Sequence, residues 1–282
     1  MRRREALLTL GAALLVRRAW GDTRTSRFRS PSLGRDVAVT VQLPPSYAVG
    51  NRRYPVLYAL HGLFESHDFW AARGLADILA SAWQEGDVPE LIVVSVDGGN
   101  SFFLDSRQGA YQDVITRDAV SWAESVWRVT PGRGGRALLG VSMGGYAALR
   151  IALTVPDVFG AVASHSAMLL RKPPTAAEGA SAWHLRAFHA AFGDPIDGAL
   201  WAASDPLELA LRADRERTPA LRFDCGAQDR YGLAAGHQEL HRRLETRGVA
   251  HEFTLAPGDH GYEFVREALP ASLRFLGRHL IG

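Results

Sequence analysis

Ser142 stands in the run Gly140-Val141-Ser142-Met143-Gly144-Gly145, between the apolar stretch Ala137-Leu138-Leu139 and the helix-forming stretch Tyr146 to Leu153. A strand that turns abruptly into a helix holds its turn residue in strained backbone geometry, and flanking glycines avoid collision with neighbouring backbone. Ser142 is therefore expected to stand out at the end of a sheet, near a helix N-terminus whose partial positive charge favours a developing oxyanion. A serine hydroxyl is a poor nucleophile at neutral pH. It needs a base to take its proton, normally a histidine, and a carboxylate to orient that base and stabilise its cationic form. After such a strand–turn–helix unit the acid and then the histidine follow in chain order, each in a loop beyond a strand. Gly226-Ala227-Gln228-Asp229 and Gly258-Asp259-His260-Gly261 supply that order. The chemistry expected is acyl transfer through Ser142, with His260 as base and Asp229 as its carboxylate.

Asp224 and Asp259 compete with Asp229 for the acid. Asp224 lies within an apparent strand, its side chain committed to one face of the sheet. Asp259 adjoins His260, an awkward place for a carboxylate that must face that ring. Of the ten histidines, His165, His184, His189, His237, His241, His251 and His279 fall in or beside apparent strands or helices, and His61 and His67 precede the serine. His237 and His241 form an i,i+4 pair with no third ligand nearby, so a solvated helix face is expected there rather than zinc, and no metal is expected elsewhere. The oxyanion needs two backbone N–H donors. Met143, the residue after the nucleophile, should give one. The loop His61-Gly62-Leu63-Phe64, after a strand ending at Leu60, should give the other, Leu63 first and Phe64 second. Gly62 and Phe64 are also expected to touch substrate.

Positioning these residues calls for strands alternating with helices. Apolar and β-branched runs predict strands at Arg35–Leu43, Tyr54–Leu60, Leu91–Val96, Ala161–Ser166, Ala220–Gly226 and His251–Leu255, besides the one before Ser142. Helical spacing predicts helices from Phe69 to Trp83, Tyr111 to Val129, Leu233 to Thr246 and Tyr262 to Leu280, the last broken or kinked at Pro270. The alternation implies an α/β fold with a mostly parallel central sheet and helices on both faces. From about Met168 to Thr218 the pattern changes to short helical pieces interrupted by Pro173-Pro174, Gly179 and Gly193-Asp194-Pro195. This stretch is read as an insertion after the strand at 161–166 that shapes the site. Its aromatic residues Trp183, Phe188 and Trp201 hint at an apolar or aromatic acyl pocket.

The 282 residues are 47% hydrophobic and 22% charged, an ordinary globular composition with chain enough for a large core. A net charge of +2 gives no bulk electrostatic case for nucleic acid. Lys172 is the only lysine, a compositional habit rather than a binding patch, and the single Cys225 excludes an internal disulfide. Arg2-Arg3-Arg4, the apolar run Ala6 to Val16 and the small residues around Ala19-Trp20-Gly21 resemble an export signal over residues 1–21, although Arg17-Arg18 interrupt the approach to the cleavage site. The apolar run is too short to span a bilayer as a mature helix. Residues 22–282 are thus expected to form a single exported domain, periplasmic or secreted, the alternative being a cytoplasmic protein with a basic amphipathic start.

With these motifs in place, the chain resembles the "putative esterase" family of α/β-hydrolases, which includes S-formylglutathione hydrolases, feruloyl and acetylxylan esterases, enterochelin-type esterases and mycolyltransferases. The resemblance runs from about Val37 to Leu276. Its carriers are Tyr54 to Gly62, Val96-Asp97-Gly98, Gly140 to Gly145, Cys225 to Asp229, and Pro257-Gly258-Asp259-His260; Phe192 to Pro195 with Asp205-Pro206 is similar to the family's insertion. It implies an α/β-hydrolase fold, with Ser142, Asp229 and His260 on the triad positions and Leu63 and Met143 on the oxyanion donors. It further implies a serine esterase working through an acyl-enzyme on a small-molecule or carbohydrate ester, without a cofactor. His-Gly-Leu stands here in place of the Ser-Gly-Leu of formylglutathione hydrolases, which argues against a formaldehyde-detoxifying role. Acyl transfer to an alcohol would use the same residues. A binding protein of the same fold would usually lack a triad member, and none is missing.

Overall fold

The computed structural model describes residues 20–175 and 181–281. The expected export signal therefore lies outside the described residues, apart from its last two positions. Trp20 is 4% exposed and packs edge-on against Trp83 at 6.5 Å. A Cβ on Gly21 would stand 2.7 Å from the Leu43 carbonyl oxygen. Both residues are fitted into the fold.

The chain begins with β1 (Thr23–Ser30), β2 (Arg35–Gln42) and β3 (Val56–Leu60), then α1 (Phe69–Ala72), α2 (Leu75–Gln84) and β4 (Ile92–Val96). A small ladder of β5 (Asp105–Ser106) and β6 (Gly109–Ala110) leads into α3 (Tyr111–Asp113), a π-turn over Val114–Asp118 and α4 (Ala119–Val126). Next come β7 (Arg136–Val141), α5 (Met143–Thr154) and β8 (Ala161–His165). Three short helices follow, α6 (Ala182–Phe192), α7 (Gly198–Ser204) and α8 (Pro206–Ala210). The chain closes with β9 (Ala220–Gly226), α9 (Ala234–Thr246), β10 (His251–Ala256) and α10 (Tyr262–His279).

Eight of these strands make one sheet in the order β1-β2-β4-β3-β7-β8-β9-β10. β2 runs antiparallel to β1 and β4, and the rest are parallel. Parallel strands covered on both faces read as continuous apolar runs, and β3 and β4 are buried at every position. The period of two divides them between two cores. Val56, Tyr58, Leu60 and Leu138 pack on the face that carries Leu149 and Ile151 of α5. Leu57, Ala59 and Leu139 pack on the face that carries Leu79 of α2 and Leu269 and Leu273 of α10. Each fully buried leucine of this kind contributes about 1.5–3 kcal/mol of transfer free energy. The turns beyond the C-terminal ends of the parallel strands are where the candidate residues fall.

Several elements depart from the sequence expectation. The run expected as one helix from Phe69 to Trp83 breaks at Arg73-Gly74, where Gly74 takes φ +78°, open to glycine and costly for other residues. The helix from Tyr111 ends at Val126, because Trp127 turns extended and Val129 pairs with Tyr54. α10 runs through Pro270 unbroken; Pro270 and Arg266, whose carbonyl loses its partner there, both lie on the exposed face, where water can take the bond. β1 was not expected at all. Only Phe28 and Ser30 of it are buried, and its exposed arginines suit an edge strand that must not pair with another chain. No described helix is long and apolar enough to cross a membrane.

Candidate active site

The β7–α5 turn holds Ser142 at φ +54°, ψ −112°. A non-glycine residue there costs of order 1–3 kcal/mol, and the conformation persists only where surroundings enforce it. Here they do. A Cβ on Gly140 would lie 2.1 Å from the Gly144 carbonyl oxygen, and one on Gly144 would lie 2.5 Å from that of Leu60, so the turn closes only with glycine at both positions. The Ser142 amide donates to the His165 carbonyl at 2.9 Å, and the Ser142 carbonyl accepts from Tyr146 at 2.9 Å and Met168 at 3.1 Å.

Ser142 Oγ lies 3.0 Å from His260 Nε2, and His260 Nδ1 lies 2.8 Å from Asp229 Oδ2. A carboxylate accepts, so Nδ1 carries the proton and Nε2 is free to accept the serine hydroxyl. The second oxygen, Asp229 Oδ1, accepts the Tyr231 amide at 2.9 Å. Burial pushes the Asp229 carboxyl up, but the bond and charge of His260 and the amides of Tyr231 and Leu233 outweigh it and hold the group below the ordinary carboxylate range. Asp229 is thus ionised at neutral pH. Of its competitors, Asp224 is buried against His165, with both carboxylate oxygens 3.0 Å from Nδ1. Asp259 faces the other way from the His260 ring. Its Oδ1 accepts the amides of His260 at 2.6 Å and Arg230 at 2.8 Å, and the carboxylate pairs with the Arg230 guanidinium. Gln228 adds a second tie, accepting from the Gly258 amide at 2.8 Å and donating its own amide to the Gly258 carbonyl at 3.0 Å. The loops after β9 and β10 are thereby fastened side by side.

The loop after β3 brings Gly62, Leu63 and Phe64 to the same place. A Cβ on Gly62 would lie 3.7 Å from Ser142 Cβ, in van der Waals contact with the serine. The Phe64 amide donates to Asn100 Oδ1 at 2.8 Å, which takes it out of the running as an oxyanion donor. Among the described residues no acceptor takes the amide of Leu63 or of Met143. His61 sets this loop. Its Nδ1 donates to the Gly62 carbonyl at 2.8 Å and its Nε2 accepts the Gly98 amide at 3.0 Å. Burial pushes its pKa below the ordinary histidine value, which keeps the ring neutral and both bonds in place.

Ser142 and His260 open into a cavity of about 710 Å³ that Gly62, Leu63 and Phe64 also line. Its inner wall is apolar, with Phe102, Met168, Leu169 and Phe188, and its mouth carries Arg171 and Lys172. Of the aromatic residues expected to line it, Phe188 does so. Trp201 stands behind it, 6.2 Å from the Phe188 ring, and the Trp183 side chain lies outside the described ones. His237 departs from the solvated helix face expected for it. It is fully buried, its Nδ1 donating to the Leu233 carbonyl at 2.8 Å, because its face of α9 turns toward the sheet; His241 bonds His251 instead. Among the described residues no three His, Cys, Asp or Glu side chains cluster as metal ligands would.

A sequence profile of the family described as "Putative esterase" matches residues 30–276. The chain belongs to this esterase family. Among its relatives is an esterase of Mycobacterium tuberculosis, 29% identical over an alignment 257 positions long that covers 83% of this chain and 54% of the relative. The chain thus spans about half the length of the first curated relatives it matches. An S-formylglutathione hydrolase of Paracoccus denitrificans is 26% identical over 90% of this chain and 92% of its own. Of solved structures, a ferulic acid esterase superposes with a TM-score of 0.78 at 26% identity, covering 93% of this chain and all of that one. A fluorophosphonate-binding serine hydrolase of Staphylococcus aureus shares the fold, with a TM-score of 0.77 at 22% identity.

In this esterase-family chain several residues at the site carry no strong sequence signal. His61 opens the loop that holds Gly62, Leu63 and Phe64, but only the fold shows that its ring ties that loop to Gly98, and that Asn100 takes the Phe64 amide. Tyr231 packs edge-on against His260 at 4.8 Å and could be read from sequence only as a loop aromatic after Asp229.

Proposed function

We propose that the chain is a serine carboxylic ester hydrolase that works through an acyl-enzyme on a small-molecule or carbohydrate ester. The observation that carries this reading is the unbroken line of hydrogen bonds from Ser142 Oγ through His260 to Asp229. Ser142 Oγ attacks the acyl carbon as His260 Nε2 takes its proton. The Leu63 and Met143 amides hold the oxyanion of the tetrahedral intermediate, where one such donor is worth about 10²–10³ in rate. Collapse expels the alcohol, which receives the proton from His260. Water then attacks the acyl carbon with His260 again as base, the acid leaves, and Ser142 regains its proton. Asp229 orients the ring and stabilises its cation without being protonated itself. The apolar inner wall suits the acyl group, and the relatives named ferulic acid esterase, acetyl esterase and S-formylglutathione hydrolase all cleave an acyl group from oxygen or sulfur.

The test is hydrolysis of p-nitrophenyl esters from acetate to octanoate, and of methyl ferulate, by wild type and by Ser142→Ala. Turnover in the wild type and none in the variant is expected. A folded wild type inert to every ester and to a fluorophosphonate probe would sink the reading. A competing alcohol in the same assay separates water from alcohol as acceptor, since part of the chain is 32% identical to a mycolyltransferase over 143 residues. We further propose, from the basic and apolar start of the sequence, that the protein is exported. Because Trp20 is buried against Trp83, the end of such a signal is placed before Trp20 rather than after Gly21, and N-terminal sequencing of exported protein is expected to find Trp20 retained; cytoplasmic protein beginning near Met1 would count against export.

A further inference from the structure

A second histidine–aspartate pair lies under the nucleophile and takes no part in the proton relay. His165 ends β8 and Asp224 stands opposite it on β9, in register. His165 Nδ1 donates to both carboxylate oxygens at 3.0 Å, and the two residues are 0% and 1% exposed. The backbone of this pair reaches the serine directly. The His165 carbonyl accepts the Ser142 amide at 2.9 Å, and the Asp224 carbonyl accepts the Ser166 amide at 2.9 Å. Ser166, like Ser142, holds a positive φ, +43°. Two residues further on, the Met168 amide donates to the Ser142 carbonyl at 3.1 Å. Segment 165–168 thus grips both polar backbone groups of Ser142, and its first residue is anchored by its own side chain to the next strand.

We propose that the His165–Asp224 pair is a positioning pair for the nucleophile. It fixes the end of β8, which in turn holds Ser142 in its strained turn with Oγ on His260 Nε2. A strained residue keeps its conformation only while neighbours over-determine it. Burying a carboxylate is costly unless it is well bonded, so a purely apolar contact between β8 and β9 at this point would be the easier way to make a stable sheet. What the pair adds is directional. Two bonds to one nitrogen fix the His165 ring, and with it the carbonyl that receives the Ser142 amide. Misplacing a reacting atom by about 1 Å costs on the order of a hundredfold in rate even when the cause is remote.

The inference rests on Ser142 being the nucleophile, and the test keeps the two apart. The double variant His165→Leu/Asp224→Leu removes the pair without stranding a buried carboxylate. His165→Asn keeps a donor in reach of Asp224. Each is compared with wild type for kcat and KM on a p-nitrophenyl ester and for the rate of fluorophosphonate labelling, below the melting temperature of every variant. The double variant is expected to lose about tenfold to a hundredfold in kcat with KM within about twofold, and to label more slowly by the same factor. His165→Asn is expected to recover most of that loss. A double variant that folds and keeps the wild-type kcat would overturn the proposal, leaving the pair a stabilising contact. So would His165→Asn, folded, being as slow as the double variant, since the bond to Asp224 would then not be the operative part. A wild type that neither labels nor hydrolyses would instead mean that the serine esterase reading itself fails.

Discussion

Two histidine–aspartate pairs draw their acids from β9 and the turn beyond it and their histidines from its two neighbours, β8 and the turn after β10, and they differ in what the second ring nitrogen faces. His260 and Asp229 lie in the turns beyond β10 and β9. Nδ1 meets one carboxylate oxygen at 2.8 Å, and Nε2 meets the Ser142 hydroxyl at 3.0 Å at the edge of the cavity. His165 and Asp224 lie inside the sheet. Nδ1 meets both oxygens at 3.0 Å, and Nε2 finds no partner among the described residues. A histidine held by a carboxylate can move a proton only if its far nitrogen faces a group to deprotonate and solvent or substrate to exchange with. The first pair has both. The second has neither, and its backbone rather than its ring touches the serine. In the proposed mechanism the same side-chain chemistry thus serves turnover in one place and geometry in the other, and burial decides which.

The contrast is broken most directly at the two acids. Asp229→Asn should lower kcat by about 10⁴, because the amide no longer holds the proton on Nδ1 and Nε2 no longer accepts from the serine. Asp224→Asn keeps an acceptor for His165 Nδ1 and should cost no more than about tenfold. Steady-state kinetics on one ester, with circular dichroism as a check on folding, decides it. Equal losses in the two variants would mean that the buried pair also takes part in proton transfer, or that the outer one does not.

A smaller effect is expected at Asp259, which touches neither the serine nor the far side of the His260 ring. Asp259→Ala removes one of the two ties between the loops after β9 and β10, leaving that of Gln228 to Gly258, and should lower kcat by up to about tenfold by loosening His260 against Asp229. It also has a pH signature. The bond and charge of Arg230, with the His260 amide, hold the Asp259 carboxyl down at about 2 against an ordinary 3.8. A depressed carboxylate contributes stability above its unfolded value and loses it as pH falls through the folded one. The melting-temperature gap between wild type and Asp259→Ala should therefore be constant above about pH 4 and close toward pH 2. A gap that does not narrow there would mean that the charge of Asp259 contributes nothing.

How far this was legible in the sequence follows the same division. Ser142, His260 and Asp229 could be placed because glycine-flanked turns after apolar strands leave few positions for chemistry, and the structure brings these three together. The parallel strands were legible because burial on both faces forces continuous apolar runs. β1 was not, since an edge strand carries its pairing in the backbone and its arginines point to water. The sequence offers His165 only as a strand histidine and Asp224 only as a strand carboxylate that competes with Asp229. Nothing local marks a histidine and an aspartate 59 positions apart as partners; only the register of β8 on β9 does. His61, Asn100 and Asp259 were obscure for the same reason. Their roles lie in which loop each one reaches, and loop-to-loop contacts leave no periodicity in the chain.

The weakest link between the two pairs is Cys225, next to Asp224 in the chain and beside Asp229 in space. Its Sγ lies 3.7 Å from Asp229 Oδ2, the oxygen that also receives His260. Burial, and then the charge of Asp229, push the thiol well above its ordinary pKa, so it remains an S–H donor at any working pH. A thiol is a weak donor, and His260 and the Tyr231 amide already serve the carboxylate. Cys225→Ala should therefore cost only about two- to fivefold in kcat, the scale of one modest hydrogen bond. Cys225→Ser, which supplies a better donor on a shorter arm, should fall between that variant and wild type. If Cys225→Ala matches wild type while the double variant of the inner pair is slow, the inner pair acts on the catalytic site through the Ser142 backbone alone. If Cys225→Ala is as slow as the inner-pair variant, β9 itself is the shared support, and the two pairs are less separate than their surroundings suggest.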